Sequence, residues 1–121
     1  MAKLLIVEDD SSVRSFVARA LAASGYTVVT AEDGLDGLNK IREAAGAFDL
    51  VLSDIRMPAM DGIEMAREVS RAFPNLRMML MTGFADQRER AVELDGTVRG
   101  VVNKPFTLIE LRERVGEALA A

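Results

Sequence analysis

The sequence contains no cysteine, no histidine and no tryptophan, and the first two absences each remove a class of function. Without cysteine the chain can form no disulfide, no thiol nucleophile and no cysteine-based zinc site. Without histidine it lacks the commonest general base and the commonest metal ligand, so carboxylates are the side chains left to bind a metal. Aromatic residues make up only 5% of the chain, so the core must consist mainly of aliphatic residues and methionine.

The sequence also lacks a long hydrophobic run and an excess of positive charge. The apolar run at 4–7 is too short for a signal peptide, and no later stretch approaches the length of a membrane span. The formal net charge of −4 argues against nonspecific binding to nucleic acid. We therefore expect a cytoplasmic protein that contacts neither membranes nor nucleic acid, with its 121 residues (1–121) forming one domain.

Short apolar runs alternate along the chain with segments of helical spacing. The apolar runs lie at 4–7, 26–30, 50–52, 77–81 and 98–102. Several are continuous, as expected for strands buried on both faces of a sheet. Gly25 is placed to end the first helix, and Asp33 and Thr107 are placed as N-caps of later helices. The pattern predicts an α/β fold: a doubly wound, five-stranded parallel sheet of flavodoxin-like order 2-1-3-4-5, with helices on both faces.

Acidic residues follow two strands that this order makes neighbours. Glu8, Asp9 and Asp10 come after the first strand, and Asp54 comes after the third. Because ligands bind beyond the carboxyl ends of such strands, we expect these carboxylates to share one hollow. Carboxylates held this close repel one another unless a cation lies among them, and an oxygen-only pocket suits Mg²⁺. For Asp10 the favoured interpretation is instead the N-cap of the first helix.

A hydroxyl and an ammonium group are predicted at the same edge of the sheet. Thr82 ends the fourth apolar run, and Lys104 follows the fifth. A lone lysine after a strand is usually a solvated charge, but Lys104 faces a cluster of acids, so we expect it to pair with Asp54. A cis peptide bond before Pro105 would turn Lys104 inward, although cis is the minority form of such bonds.

With these residues in place, the chain resembles the receiver domains of bacterial two-component response regulators. The resemblance extends over residues 3–119 and includes the motifs DIRMP at 54–58, MDG at 60–62 and KPF at 104–106. It implies that Asp54 is the phosphoacceptor, which takes a phosphoryl group from a phosphohistidine on a histidine kinase or a histidine phosphotransfer protein. It also implies a protein that is not an enzyme in the usual sense, but promotes its own phosphorylation and dephosphorylation.

The resemblance further assigns the remaining site residues. Asp9 would bind Mg²⁺ directly together with Asp54, Glu8 would act through water, and the backbone carbonyl of Arg56 would complete the metal site. Thr82 and Lys104 would hold the phosphoryl oxygens, which need positive charge and hydrogen bonds during transfer.

The sequence departs from the family pattern at two places. Val101 stands where many receivers have a mobile aromatic residue, and the plain interpretation is an ordinary strand residue. Phe84 is an alternative moving aromatic, or a residue that contacts a partner. Gly83 replaces the more usual alanine and opens access to the site, so we expect Arg56 and Phe84, which flank it, to set the lifetime of the phosphorylated state.

The chain ends soon after the last helical stripe, so we expect a single-domain switch that acts by binding a partner, as a monomer or weak dimer. The expected docking surface is the fourth helix, fifth strand and fifth helix. Its arginines are either a docking patch or a solvated face. They are Arg88, Arg90, Arg99, Arg112 and Arg114.

A finer resemblance points to particular receivers. The motif MTGFA at 81–85 is similar to receivers of hybrid histidine kinases, and still more to the single-domain cell-cycle receivers of alphaproteobacteria that regulate the Clp protease. In that subgroup the downstream partner is a Clp unfoldase. The tail LAA at 119–121 resembles a C-terminal protease tag, and the alternative is a frayed helix end.

Three other interpretations stay open at this stage. The chain could be a receiver cut from a hybrid histidine kinase. It could be a degenerate receiver that only scaffolds, although every residue the phosphorylation site needs is present. The third is a haloacid-dehalogenase-type phosphatase. Such phosphatases have an Asp-x-Asp-x-Thr motif, but here Arg56 stands at the position of its second aspartate.

Overall fold

The computed structural model describes residues 2–83 and 98–120. Within these ranges the strands are β1 (Lys3–Val7), β2 (Thr27–Ala31), β3 (Leu50–Asp54), β4 (Met78–Thr82) and β5 (Val98–Asn103). The helices are α1 (Ser11–Ala23), α2 (Gly34–Glu43), α3 (Gly62–Ala72) and α4 (Leu108–Ala120). Helix α4 corresponds to the fifth helix of the prediction, because the predicted fourth helix falls at 84–97, outside the described residues.

The five strands form one parallel sheet in the order β2-β1-β3-β4-β5, so the predicted order 2-1-3-4-5 is confirmed. Strand β1 lies between β2 and β3, and Val7 is opposite Ser53 across the β1–β3 pair. This register places the residue after β1, Glu8, beside Asp54. Asp54 and Thr82 are the last residues of β3 and β4.

Alternate residues of β1 pack into two separate clusters of buried side chains. Leu4 and Ile6 pack with α1 and α4, whereas Leu5 and Val7 pack with α2 and α3. Because successive side chains of a strand point to opposite faces, the two clusters lie on opposite sides of the sheet. Both faces of the sheet are thus buried. Polar residues lie at its carboxyl edge.

Local hydrogen bonds confirm the predicted helix ends. Asp33 caps α2 by accepting from the backbone N–H of Asp36 at 2.8 Å. Thr107 and Glu110 form a reciprocal capping box at the start of α4, with distances of 3.1 and 3.3 Å. Gly25 follows α1 with a φ of 98°, in the left-handed region that favours glycine. Asp33 and Thr107 lie at the carboxyl edge of the sheet, whereas Gly25 lies in the turn from α1 to β2.

None of the helices in the two described ranges is long and apolar enough to cross a lipid bilayer. The predictions made for Phe84, Arg88 and Arg90, and for the end of the tail at Ala121, concern positions outside the described residues.

Candidate functional site

The acidic loop after β1 is fixed by hydrogen bonds to β2 and to the start of α1. The N–H of Glu8 donates to the carbonyl of Ala31 at 3.1 Å, and the guanidinium of Arg14 donates to the carbonyl of Glu8 at 2.8 Å. The side chain of Asp10 accepts from the backbone N–H groups of Ser12 and Val13, at 2.8 and 3.1 Å. Asp10 is therefore the N-cap of α1, as predicted, and not a member of the acidic cluster.

Three carboxylates meet at this edge of the sheet. Among the residues that the structure describes, one oxygen each of Glu8, Asp9 and Asp54 lie within 4.8 Å of one another. Glu8 is fully buried and Asp54 is 7% exposed, whereas Asp9 is open to solvent. Partial burial raises the pKa of Asp9 above its usual value, and the neighbouring Glu8 adds to the rise. The neutral form of the Asp9 carboxyl is therefore favoured more than in a fully solvated aspartate.

Lys104 supplies a positive charge to the cluster. Its Nζ lies 2.7 Å from Oε1 of Glu8 and 3.1 Å from Oδ2 of Asp54. Burial alone would lower the pKa of Lys104, but the hydrogen bond to Glu8 and the charge of Asp54 outweigh it and raise that pKa. The predicted pair with Asp54 is present, and the stronger contact with Glu8 is one that sequence reasoning missed.

Thr82 lies between these groups and the last strand. It is 2% exposed, and its carbonyl accepts from the N–H of Lys104 at 2.7 Å. The Lys104–Pro105 peptide bond is cis. Next to Thr82, a methyl group added to Gly83 would lie 3.8 Å from Cβ of Lys104, an ordinary contact distance. An alanine at position 83 would therefore fit beside Lys104 without a shift.

The loop from β3 to α3 carries Arg56, whose side chain is exposed. The loop is tightly closed at its far end, where the N–H of Gly62 donates to the carbonyl of Ile55 at 2.8 Å. A Cβ on Gly62 would lie 2.3 Å from the carbonyl oxygen of Asp54, so no larger residue fits without a shift. The hydroxyl of Ser53 donates to the same oxygen at 2.8 Å. The backbone around Asp54 is thus held from two sides.

Val101, at the position of the family's mobile aromatic residue, is partly buried. It packs against a small cluster formed by Ile55, Ile63 and Leu80. This placement agrees with an ordinary strand residue. The carbonyl of Val101 accepts from the guanidinium of Arg114 at 3.1 Å, which ties β5 to α4.

The arginines of the predicted patch that the structure describes lie on two surfaces. Arg99 and Arg114 line a hollow between β5 and α4, whereas Arg112 lines a groove between α1 and α4 together with Arg19. An apolar extension of this groove contains Phe16 and reaches Lys104. Phe16 is 46% exposed, and its ring centroid lies 6.5 Å from that of Phe106.

The oxygen donors at the carboxyl edge fit a divalent cation. Among the residues 2–83 and 98–120, three carboxylates face one ammonium group, which leaves negative charge in the cluster. Mg²⁺ takes oxygen ligands of this kind while keeping several waters. Asp54 is also the group best placed as a nucleophile, since it is held at the strand end with one oxygen against a cation. The geometry can therefore support transfer of an anionic group to Asp54.

Comparisons with known proteins place this geometry in context. Residues 4–116 match the family of the response regulator receiver domain. The chain is 36% identical to the response regulator receiver protein CpdR of Brucella abortus, over 100% of this chain and 99% of that protein. It is 38% identical to the sensor kinase CckA of the same organism, over 98% of this chain but only 12% of the kinase.

A solved structure with the same fold holds a metal complex. The response regulator protein TrrA of Thermotoga maritima, in complex with Mg²⁺ and BeF, superposes with a TM-score of 0.86 at 30% identity. The match covers 98% of this chain and 99% of TrrA.

Proposed function

This chain belongs to the response regulator receiver domain family, and from this premise we propose that it is a phosphorylation-controlled signalling switch that accepts a phosphoryl group on Asp54. The observation that carries the proposal is the contact of Asp54 with Lys104 at 3.1 Å, inside a cluster with two further carboxylates. A buried carboxylate between a cation and a candidate metal site is what phosphoryl transfer to a side chain requires.

The residues divide the work of the transfer. A carboxylate oxygen of Asp54 forms a bond to phosphorus while the bond from phosphorus to the donor's leaving group breaks, and the leaving group keeps that electron pair. Lys104 moves from the Asp54 oxygen to a phosphoryl oxygen, where its positive charge stabilises the transition state. Thr82 donates its hydroxyl to a second phosphoryl oxygen. Thr82 is 2% exposed and the side chain of Lys104 is 25% exposed, so partial burial strengthens these contacts.

The metal site is assigned to the oxygen donors of the same edge. Asp9 and Asp54 would bind Mg²⁺ directly, the backbone carbonyl of Arg56 would be a third ligand, and Glu8 would act through water. The bound ion would supply positive charge beside the phosphoryl group. Support comes from the 4.8 Å carboxylate cluster and from the Mg²⁺ complex of the TrrA relative.

Phosphorylation would then change which partner binds. The phosphoryl group adds close to two negative charges and three acceptor oxygens beside Thr82, and movement of Thr82 would carry the following segment with it. Since Val101 has no long side chain to rotate, the signal would pass through that segment and the β5–α4 surface. We propose a downstream protein at this surface, with a Clp unfoldase as the candidate that the resemblance to single-domain cell-cycle receivers suggests.

The same switch could also be part of a histidine kinase system. The 38% identity to the sensor kinase CckA favours a receiver that works beside a histidine kinase, either within one chain or as its separate target. Asp54 has the same role in both settings. The receiver family match gives no support to the phosphatase alternative.

The test of the function is phosphoryl uptake from acetyl phosphate, measured by intact mass. In Mg²⁺ we expect a mass gain of one phosphoryl group, and in a metal chelator a rate lower by at least about tenfold, because the metal's charge stabilisation is lost. Equal rates in both conditions would contradict the metal assignment. If no gain is seen, binding of beryllofluoride with Mg²⁺ would show a working site that loses its phosphoryl group quickly, and no binding would contradict the switch.

We further propose that the protein phosphodonor docks a helix in the groove between α1 and α4. The groove has an apolar floor around Phe16 and Phe106, and its extension reaches Lys104 at the phosphorylation site. Arg19 and Arg112 line the other part of the groove, so the complementary helix has apolar residues on one face and acidic residues beside them. A donor helix bound in this groove would lie next to Lys104 and the phosphorylation site.

Replacing Phe16 with serine should separate the two kinds of phosphodonor. We expect transfer from a histidine-phosphorylated kinase to slow by about tenfold or more, since an exposed aromatic anchor is worth over 1 kcal/mol. Uptake from acetyl phosphate should stay within about twofold, because this small donor needs no docking surface. The matched control is Leu35→Ser on α2, where an equally exposed residue (48%) lies away from the groove. Equal losses with both donors, or no loss with the kinase, would contradict the docking site.

A further inference from the structure

Gly34, the first residue of α2, lies against the loop that carries Arg56. A Cβ built on Gly34 would lie 2.1 Å from the carbonyl oxygen of Met60 and 2.9 Å from its carbonyl carbon. Gly34 is not among the residues with a positive φ, so its backbone could hold a larger residue. The requirement for glycine at position 34 is therefore one of space, and it comes from backbone atoms, which cannot rotate away as a side chain would.

The contacting residue belongs to the loop between β3 and α3. That loop starts at the end of Asp54 and closes where Gly62 packs against the Asp54 carbonyl, at a would-be Cβ distance of 2.3 Å. Between these points Ala59 has a φ of 67°, and the N–H of Met60 donates to the carbonyl of Pro58 at 2.8 Å. The loop is a compact turn, and it is held from inside by Gly62 and from outside by Gly34.

The surroundings of the contact between Gly34 and the Met60 carbonyl stabilise it. The Met60 carbonyl lies against the first turn of α2, where the helix dipole favours a partial negative charge. The helix itself is anchored by its cap at Asp33 and by the buried residues Leu38 and Ile41. Helix α2 is thus a rigid support, and a shift of Met60 would require movement of the loop.

We propose that Gly34 is a positioning residue for the metal site, which holds the loop so that the backbone carbonyl of Arg56 faces the carboxylates of Asp9 and Asp54. This inference rests on the proposed function, because it assumes that Arg56 contributes a ligand. Gly34 touches none of the reacting groups. A side chain at position 34 pushes the loop away from α2 and takes the carbonyl ligand with it, while the strand ends that carry the phosphorylation residues stay in place.

The test compares two glycine-to-alanine variants in the same helix. Gly34→Ala is expected to weaken Mg²⁺ binding to the unphosphorylated protein by at least about fivefold, measured by isothermal titration, because one ligand is displaced. Gly37→Ala is the matched control. Its Cβ would meet side chains only, 2.8 Å from Val7 and 3.1 Å from Met65, so it should lower the urea midpoint of unfolding without changing the Mg²⁺ affinity.

A second measurement separates positioning from general damage. At saturating Mg²⁺, phosphoryl uptake by Gly34→Ala should return to within about twofold of the wild-type rate, since Asp54, Thr82 and Lys104 are not displaced. If Gly34→Ala folds poorly, the Mg²⁺ titration is made on Gly34→Ala/Ala59→Gly, in which glycine accepts the left-handed backbone at position 59, with Ala59→Gly as its reference.

The outcomes are distinguishable. Wild-type Mg²⁺ affinity in the Gly34 variants, or equal weakening in Gly37→Ala, overturns the inference while the proposed function stands. Failure of the wild-type protein itself to bind Mg²⁺ overturns the metal assignment on which the inference rests.

Discussion

Replacing Asp54 with asparagine is expected to abolish phosphoryl uptake from acetyl phosphate. The amide has nearly the same shape as the carboxylate but is not a nucleophile, so no acyl phosphate can form. Its oxygen can still accept a hydrogen bond from Lys104, which now lies 3.1 Å from Oδ2. We therefore expect the variant to fold, with a mass that stays constant while the wild-type protein gains one phosphoryl group.

The matched control for this variant is Asp49→Asn. Asp49 is exposed at the opposite end of β3, where its carboxylate accepts from the N–H of Lys3 at 2.7 Å, and an asparagine oxygen can keep that bond. This control should take up phosphoryl groups at the wild-type rate. A mass gain in Asp54→Asn equal to that of the control would mean that another residue is the phosphoacceptor.

Replacing Asp9 with asparagine should have opposite effects on metal binding and on stability. Removing a charged direct ligand is expected to weaken Mg²⁺ binding by at least about tenfold, because loss of an outer-shell partner alone typically costs that much. The metal-free protein should become more stable, because a neutral side chain relieves repulsion from Glu8 in a cluster with one lysine. The pKa of Asp9 is raised, first by burial and then by Glu8, so the fold favours the uncharged form of this side chain. A neutral asparagine should therefore stabilise the metal-free protein. Because Asp9 is exposed, the gain should not exceed about 1 kcal/mol.

Urea unfolding with and without Mg²⁺ measures both effects. In the wild type, Mg²⁺ at ten times its dissociation constant should raise the free energy of unfolding by about 1.4 kcal/mol. The same concentration should raise the free energy of unfolding of Asp9→Asn by no more than about 0.4 kcal/mol. Asp10→Asn is the control, since asparagine also caps helices and Asp10 bonds to the backbone of α1. It should respond to Mg²⁺ as the wild type does. An undiminished response in Asp9→Asn would remove Asp9 from the metal site.

The sheet order and the meeting of the acidic residues were predictable because they depend on simple regularities. Alternation of apolar runs and helical segments predicts a parallel sheet, and in the order 2-1-3-4-5 the carboxyl ends of β1 and β3 are neighbours. Asp33 and Thr107 could be predicted as caps because capping depends on residues only three apart in the sequence. These features need no knowledge of how distant side chains pack.

The features that could not be predicted depend on contacts between distant segments. Nothing in the residues around Glu8 indicates that Lys104, 96 positions away, bonds to it more closely than to Asp54. Likewise, the approach of Gly34 to Met60 is set by how α2 packs beside the β3–α3 loop. Arg112 faces α1 while Arg114 faces β5. Which side each arginine faces depends on how α4 is oriented about its axis when it packs on the sheet.

The most direct test of the central claim is to locate the phosphoryl group by chemical reduction. After incubation with acetyl phosphate and Mg²⁺, borohydride converts an aspartyl phosphate to homoserine, and peptide mass spectrometry identifies the position. We predict homoserine at position 54 and at no other aspartate. Homoserine at Asp9 or elsewhere, or a phosphorylated protein that yields no homoserine, would contradict the role of Asp54 as phosphoacceptor.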